Sequence, residues 1–209
     1  MTSAVPPAGS PPTPTPASWN VANGLTALRV VLVPVFGWLL LREDGTDTAS
    51  RAAAAVVFAV AVVTDRLDGE VARRRGLVTD LGKIADPIAD KLLIGTALIG
   101  LSLLGDLPWW VTAVILVREV VVTIVRFVVI RRGVIPAGRG GKAKTAFQAL
   151  AILLLVADVQ GVAHTIAMVV MAIAVVLTVV TGVDYLIQAA RVWAGSGRLG
   201  QADAVEPGR

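Results

Sequence analysis

Five aspartates crowd into residues 64–93, TDRLDGEVARRRGLVTDLGKIADPIADKLL, of a chain that is otherwise strongly apolar. Asp65 and Asp68 stand three apart and Asp86 and Asp90 four apart; on a helix each pair shares one face. Gly69 and Ala72 fall on the stripe of the first pair and Gly82 on that of the second, so small residues clear room beside the acids. Four carboxylates brought together repel and take up protons unless cations lie between them. Hard divalent ions such as Mg²⁺ or Mn²⁺ prefer an all-oxygen site of this kind, and two ions are expected. Asp80 is off the pattern and reads as a solvated charge. From charge placement alone two other readings stand: pairing of the acids with Arg66, Arg73 or Lys91, and the buried carboxylates of a proton-coupled transporter.

The elements that must carry these acids are membrane helices. Of the 209 residues 56% are hydrophobic and 16% charged, aromatics are 5%, and the mean hydropathy is +0.77; a soluble domain carries about a quarter charged residues. Six stretches, near 24–42, 50–66, 86–104, 108–130, 144–161 and 164–187, approach the roughly 20 apolar residues of a bilayer span. The stretch from Arg66 to Lys83 and the stretch from Arg131 to Lys144 are rich in Arg and Lys, whereas Arg42 and Arg51 mark the opposite side. The positive-inside rule therefore puts both termini and the two basic connections in the cytoplasm. The fold expected is all-α, six transmembrane helices around a polar cavity that faces the cytoplasm. Residues 1–19 read as a disordered Pro-rich tail, 20–190 as the helical domain and 191–209 as a polar tail. A net charge of +4 and a pI near 10.1 follow from this topology and from attraction to anionic headgroups, not from nucleic-acid binding. The absence of cysteine excludes disulfides, thiolate metal sites and a cysteine nucleophile.

Written out, the stretch is D65-x2-D68-G69-x2-A72-R73-x8-G82-x3-D86-x3-D90. This resembles, position for position, the signature of the CDP-alcohol phosphatidyltransferase family. Further stretches, NVANGLTALRVVLVPVF, DPIADKLL, REVVVTIVR and GKAKT, look like the phosphatidylglycerophosphate synthases of that family, and DLPWWVT and VIRRGVIPA look like their actinobacterial branch, over about residues 20–190. The resemblance implies a membrane enzyme, usually a homodimer, in which an alcohol displaces CMP from a CDP-linked lipid. It implies divalent metal on Asp65, Asp68 and Asp86, with Asp90 as proton acceptor and further metal ligand. It also implies CDP-diacylglycerol and sn-glycerol 3-phosphate as substrates, and phosphatidylglycerophosphate and CMP as products. Gly69 and Ala72 would then admit the cytidine, Arg73 would meet a phosphate oxygen, and Thr79 would add a hydroxyl contact.

An acceptor that carries a phosphate needs cations near the metals. Arg118 and Arg126 stand eight apart in the fourth span, on neighbouring helix faces, and buried arginines there are costly without a partner. Lys142 and Lys144, expected to be exposed at the cytoplasmic mouth of the fifth span, complete the acceptor-phosphate set. For Arg118 or Arg126 the competing reading is an internal ion pair with Glu119; for the lysines it is topology. Asn23, Thr26 and Arg29 are polar at helical spacing in the first span and suit contacts to nucleotide or headgroup, with capping or snorkelling as the alternative. His164 is placed at the outer end and read as structural. Asp158 is placed near the outer surface and Asp184, beside Tyr185, close to the inner mouth, where it would order the site; neither is given a catalytic role. Trp109 and Trp110 read as an interfacial anchor. A cardiolipin synthase or a phosphatidylinositol phosphate synthase of the same family remains open, because the motif reads the CDP end and not the acceptor; a proton-coupled transporter is the alternative from another class.

Overall fold

The computed structural model describes the backbone of residues 21–75, 80–129 and 139–202, and the side chains of residue 24 and of residues 27–64, 88–129 and 141–193. Among the described residues there are six α-helices and no strand: α1 Val21–Leu41, α2 Thr48–Arg75, α3 Asp80–Leu103, α4 Trp109–Val129, α5 Arg139–Val156 and α6 Val162–Ala202. The helices follow the expected order of six segments, but α2 and α3 run on past the apolar stretches into the aspartate motif, and α6 continues through Ala202.

The connections at one end of the bundle are tight. After α1 a single 3-10 turn, Arg42–Gly45, places Glu43, Asp44 and Gly45 in the left-handed region. Asp47 then caps α2: its carboxylate accepts from the Ala49 amide at 3.2 Å, the Ser50 amide at 3.2 Å and the Ser50 hydroxyl at 2.5 Å. The Ser50 hydroxyl, and after it the Ala49 amide, hold the Asp47 carboxyl below the usual carboxylate range. α3 ends in a Schellman motif. Gly105 takes φ +82°, its amide bonds to Ser102 O, and the Asp106 amide reaches back to Leu101 O at 3.0 Å. Pro108 then precedes α4, where a missing amide costs nothing.

α1 packs on α2 and α3, α6 packs on α4 and α5, and α2 meets α5 between these two groups. The core is aliphatic and small, as the composition requires: Leu40, Leu93, Leu98, Leu101, Ile115, Ile152 and Met171 surround the tilted pair Phe36 and Phe58, whose rings are 5.6 Å apart. Arg51 closes the end with the tight connections. Only 2% exposed, it donates from Nε to Val156 O at 3.0 Å and from Nη2 to Leu155 O and to Asp106 Oδ2, both at 2.7 Å. One guanidinium thus satisfies orphan carbonyls at the C-terminus of α5 and ties them to the α3–α4 connection.

Outward-facing side chains are apolar on every helix, among them Val31, Trp38, Val56, Ile99, Val117, Phe127, Leu150 and Val180. Apolar cover this extensive marks a surface made for something other than water. Among the described residues one helix, Val162–Trp193, is by length and composition long and apolar enough to cross a membrane. α4 carries Arg118, Glu119 and Arg126 within its 21 residues, which interrupt its apolar run. Trp109 and Trp110 are exposed where α4 begins, and His164 is exposed near the start of α6.

Candidate active-site cavity

Asp90 sits in the third turn of α3, half-buried, and opens into a cavity of about 210 Å³ between α3, α4 and α5. Three lengths of helix build it. From α3 come Asp90, Lys91 and Ile94, from α4 Leu116, Glu119 and Val120, and from α5 Lys144, Thr145 and Gln148. The spacing explains the lining, since Asp90 and Ile94, Leu116 and Val120, and Lys144 and Gln148 each stand four apart on one helix face. Apolar residues on those faces hold the helices together, and the polar ones are left facing the gap.

A charge network runs through this cavity. Glu119 Oε1 accepts from Arg118 Nη1 at 3.0 Å and from the Lys144 ammonium. Arg118 Nη2 donates to Thr181 Oγ1 of α6 at 3.1 Å, and its buried Nε has no hydrogen-bond partner among the described residues. The Arg118 stem lies on Gly182, where a Cβ would stand 3.0 Å from Cγ and 3.3 Å from Nε; a side chain there would displace the guanidinium. Lys91 donates to the Thr123 hydroxyl, which itself donates to Glu119 O at 2.6 Å. Arg29, 1% exposed on α1, lies with Glu119, Lys144 and Lys91 within electrostatic reach of Asp90. Among the described residues Asp90 forms no hydrogen bond or salt bridge.

The residues expected from sequence divide sharply. Asp65, Asp68, Gly69, Ala72 and Arg73 of α2, Asp86 of α3, and Asn23 and Thr26 of α1 lie outside the described side chains, and Thr79 lies outside the described residues altogether. Among the described side chains no group of three His, Asp or Glu could hold a metal ion. The backbone nevertheless places the first aspartate pair on α2 and the second on α3.

The acceptor set divides too. Arg118 and Lys144 meet on Glu119. Arg126, two turns along α4 from Arg118, is exposed and stacks over the Tyr185 ring of α6 at 5.8 Å, and Lys142 is exposed. The expectation that Lys144 is exposed is corrected: it is 6% exposed. It stands two positions after Lys142, which turns it by about 200° to the face of α5 that meets Glu119. Sequence reasoning overlooked Lys91 and Gln148 as cavity residues. The signal for Lys91 was its place beside Asp90; Gln148 shows as a polar residue one turn beyond Lys144 in an apolar helix. Asp158 lies 3.9 Å from Arg51, and Asp184 is exposed and bonded to Gln188 at 2.7 Å.

Residues 19–180 match the family model described as CDP-alcohol phosphatidyltransferase. The chain is similar to a probable phosphatidylglycerophosphate synthase of Mycobacterium tuberculosis, with 58% identity over 172 residues that cover 82% of each chain. It is 36% identical over 180 residues to the CDP-diacylglycerol–glycerol-3-phosphate 3-phosphatidyltransferase of Bacillus subtilis, covering 80% of this chain and 93% of that one. A CMP-forming cardiolipin synthase of Streptomyces coelicolor is 38% identical over 117 residues, 56% of this chain and 54% of the other.

Proposed function

For a chain that belongs to the CDP-alcohol phosphatidyltransferase family, we propose the reaction of phosphatidylglycerophosphate synthase: transfer of the phosphatidyl group from CDP-diacylglycerol to sn-glycerol 3-phosphate, with release of CMP. The likeness to synthases of that name extends over four fifths of the chain, whereas the likeness to a cardiolipin synthase stops near half. The observation that carries the reading into the structure is the cavity itself. The last aspartate of the motif shares it with Lys91 and Lys144, cations suited to an acceptor that brings its own phosphate.

The donor chemistry fits hard divalent cations. Asp65, Asp68, Asp86 and Asp90 offer carboxylate oxygens only, and Asp90 is uncommitted among the described residues. They would hold two Mg²⁺ or Mn²⁺ ions, which when bound supply neutralising charge at the pyrophosphate. Asp90 takes the proton of the glycerol 3-phosphate hydroxyl. The hydroxyl oxygen forms its bond to the lipid-side phosphorus, the bond from that phosphorus to the CMP oxygen breaks, and CMP leaves with the electron pair. Arg118 and Lys144 hold the acceptor phosphate, with Arg126 and Lys142 nearer the mouth. Gly69 and Ala72 admit the cytidine, Arg73 and Thr79 bind phosphate oxygens of the donor, and Asn23 and Thr26 touch its nucleotide or headgroup.

The apolar exterior and the two basic connections support six membrane spans, with both termini and the cavity on the cytoplasmic side of the cell membrane. The functional unit is a homodimer. The test is CMP release by the purified full chain in detergent with CDP-diacylglycerol and Mg²⁺ or Mn²⁺, offering glycerol 3-phosphate, inositol 1-phosphate or phosphatidylglycerol. Release with glycerol 3-phosphate alone is expected. Release with another acceptor would keep the aspartate chemistry and overturn the acceptor assignment, and no metal-dependent release with any of them would overturn the enzyme.

A further inference from the structure

Glu119 stands ten residues from each end of α4, about 15 Å along the axis from either terminus. If α4 spans the bilayer, this is its middle, where a charge is tolerated only with partners. The structure gives it two, from different helices and on the same oxygen: Arg118 of α4 and Lys144 of α5. Two cations on one carboxylate leave one positive charge unneutralised. Lys144 and Glu119 line the cavity in which Asp90 stands. Neither cation chooses its own direction. Lys144 has a flexible four-carbon stem and is held by Glu119; Arg118 is held by Glu119, by Thr181 and by the bare surface of Gly182. The Thr123 hydroxyl, which Lys91 contacts, is bonded to the Glu119 carbonyl and ties α3 to the same turn of α4.

We propose that Glu119 is a positioning residue for the acceptor phosphate, a fixed anion that holds Lys144 and Arg118 side by side with one positive charge to spare. This rests on the reading that those two cations receive the phosphate of the acceptor. An ion pair that only braced α4 against α5 would lower stability on removal and leave the two substrates equally affected. A positioning anion acts on one substrate alone.

The experiment compares Glu119→Gln, Glu119→Asp, Lys144→Met, Arg118→Met and the double variant Glu119→Gln/Lys144→Met. CMP release by the purified full chain is followed with each substrate varied in turn, and folding is checked by thermal melting in detergent. Glu119→Gln is expected to raise KM for glycerol 3-phosphate about 10-fold or more, the loss of roughly one charge-assisted hydrogen bond, and to leave KM for CDP-diacylglycerol within about twofold. Glu119→Asp should recover part of the loss. The double variant should lose clearly less than the product of the two single penalties, because Glu119 acts in part through Lys144 and otherwise through Arg118. Penalties that multiply, or a Glu119→Gln effect confined to CDP-diacylglycerol or to stability, would overturn the inference while Lys144→Met and Arg118→Met still raise KM for the acceptor. Should those two variants leave that KM unchanged, the acceptor reading itself falls and the inference with it. If Glu119→Gln does not fold, a folded Glu119→Asp with unchanged acceptor KM also counts against it.

Discussion

Replacing Arg51 by methionine separates the stability of this bundle from its chemistry. The side chain is 2% exposed and its guanidinium makes three hydrogen bonds: to Val156 O at 3.0 Å, to Leu155 O at 2.7 Å and to Asp106 Oδ2 at 2.7 Å. Methionine keeps most of the stem and none of the donors. Two carbonyls that end α5 then lose their partner, while Asp106, which keeps 28% side-chain exposure, can rehydrate. A charge-assisted bond is worth roughly 1.5–3 kcal/mol, and the gains within one cluster do not add fully, so the loss should be about 3 kcal/mol. For a chain of this size that lowers Tm by about 6–12 °C. Lysine at the same place would keep the charge but not the fork, and should recover less than half of the loss. The assay is tryptophan-fluorescence melting of the purified protein in detergent, with CMP release measured well below Tm. Arg51 starts α2 at the end where α5 finishes, whereas Asp90 and Lys144 lie in the first halves of α3 and α5. Turnover at low temperature should therefore stay within about twofold of wild type. A Tm shift under about 2 °C would refute the clasp, and a loss of turnover in a folded variant would refute its separation from the site.

Asp90→Asn should lower kcat by about 10³-fold or more, as expected when a proton acceptor and a metal ligand are lost together; CDP binding by calorimetry should stay within a few-fold, and lost binding with retained turnover would sink the role given to Asp90. Gly182→Val should push the Arg118 stem, already 3.0 Å from where a Cβ would stand, and raise KM for glycerol 3-phosphate several-fold without moving KM for CDP-diacylglycerol; an unchanged acceptor KM would show that Arg118 does not touch that substrate. Phe58→Ala removes a buried ring packed 5.6 Å from Phe36 and should cost about 3–5 kcal/mol, read as a lowered Tm. The Asp47 carboxyl, lowered by the Ser50 hydroxyl and the Ala49 amide, stabilises the start of α2 above the unfolded carboxylate range and loses that contribution as pH falls below about 4. Replacing Asp47 by Asn should flatten the acid limb of Tm against pH, and an unchanged limb would remove Asp47 from it.

How far the sequence discloses the site depends on which coordinate each residue needs. The aspartate motif needs only residue type and spacing along the chain, both of which are printed in the sequence, so the α2 and α3 pairs and the family are legible there. Helix order is equally legible, because apolar composition marks each segment. The rotation of a helix about its own axis is not, since packing with neighbours sets it. Lys142 and Lys144 look alike as mouth lysines, yet one is exposed and the other is buried against Glu119. Arg51 reads as an outer topology charge until the ends of α3 and α5 are seen to converge on it. Arg118, Glu119 and Arg126 explain both a weakness and a strength of the reading. They interrupt the apolar run of α4, so that composition alone marks α6 far more plainly as a span. Residues such as these, which blur a membrane helix in sequence, are kept in it because burial turns a weak surface pair into a directed one. In this fold the positions that fit a lipid-facing helix worst, Asp90, Glu119 and Lys144, are the ones the bundle gathers around a single cavity.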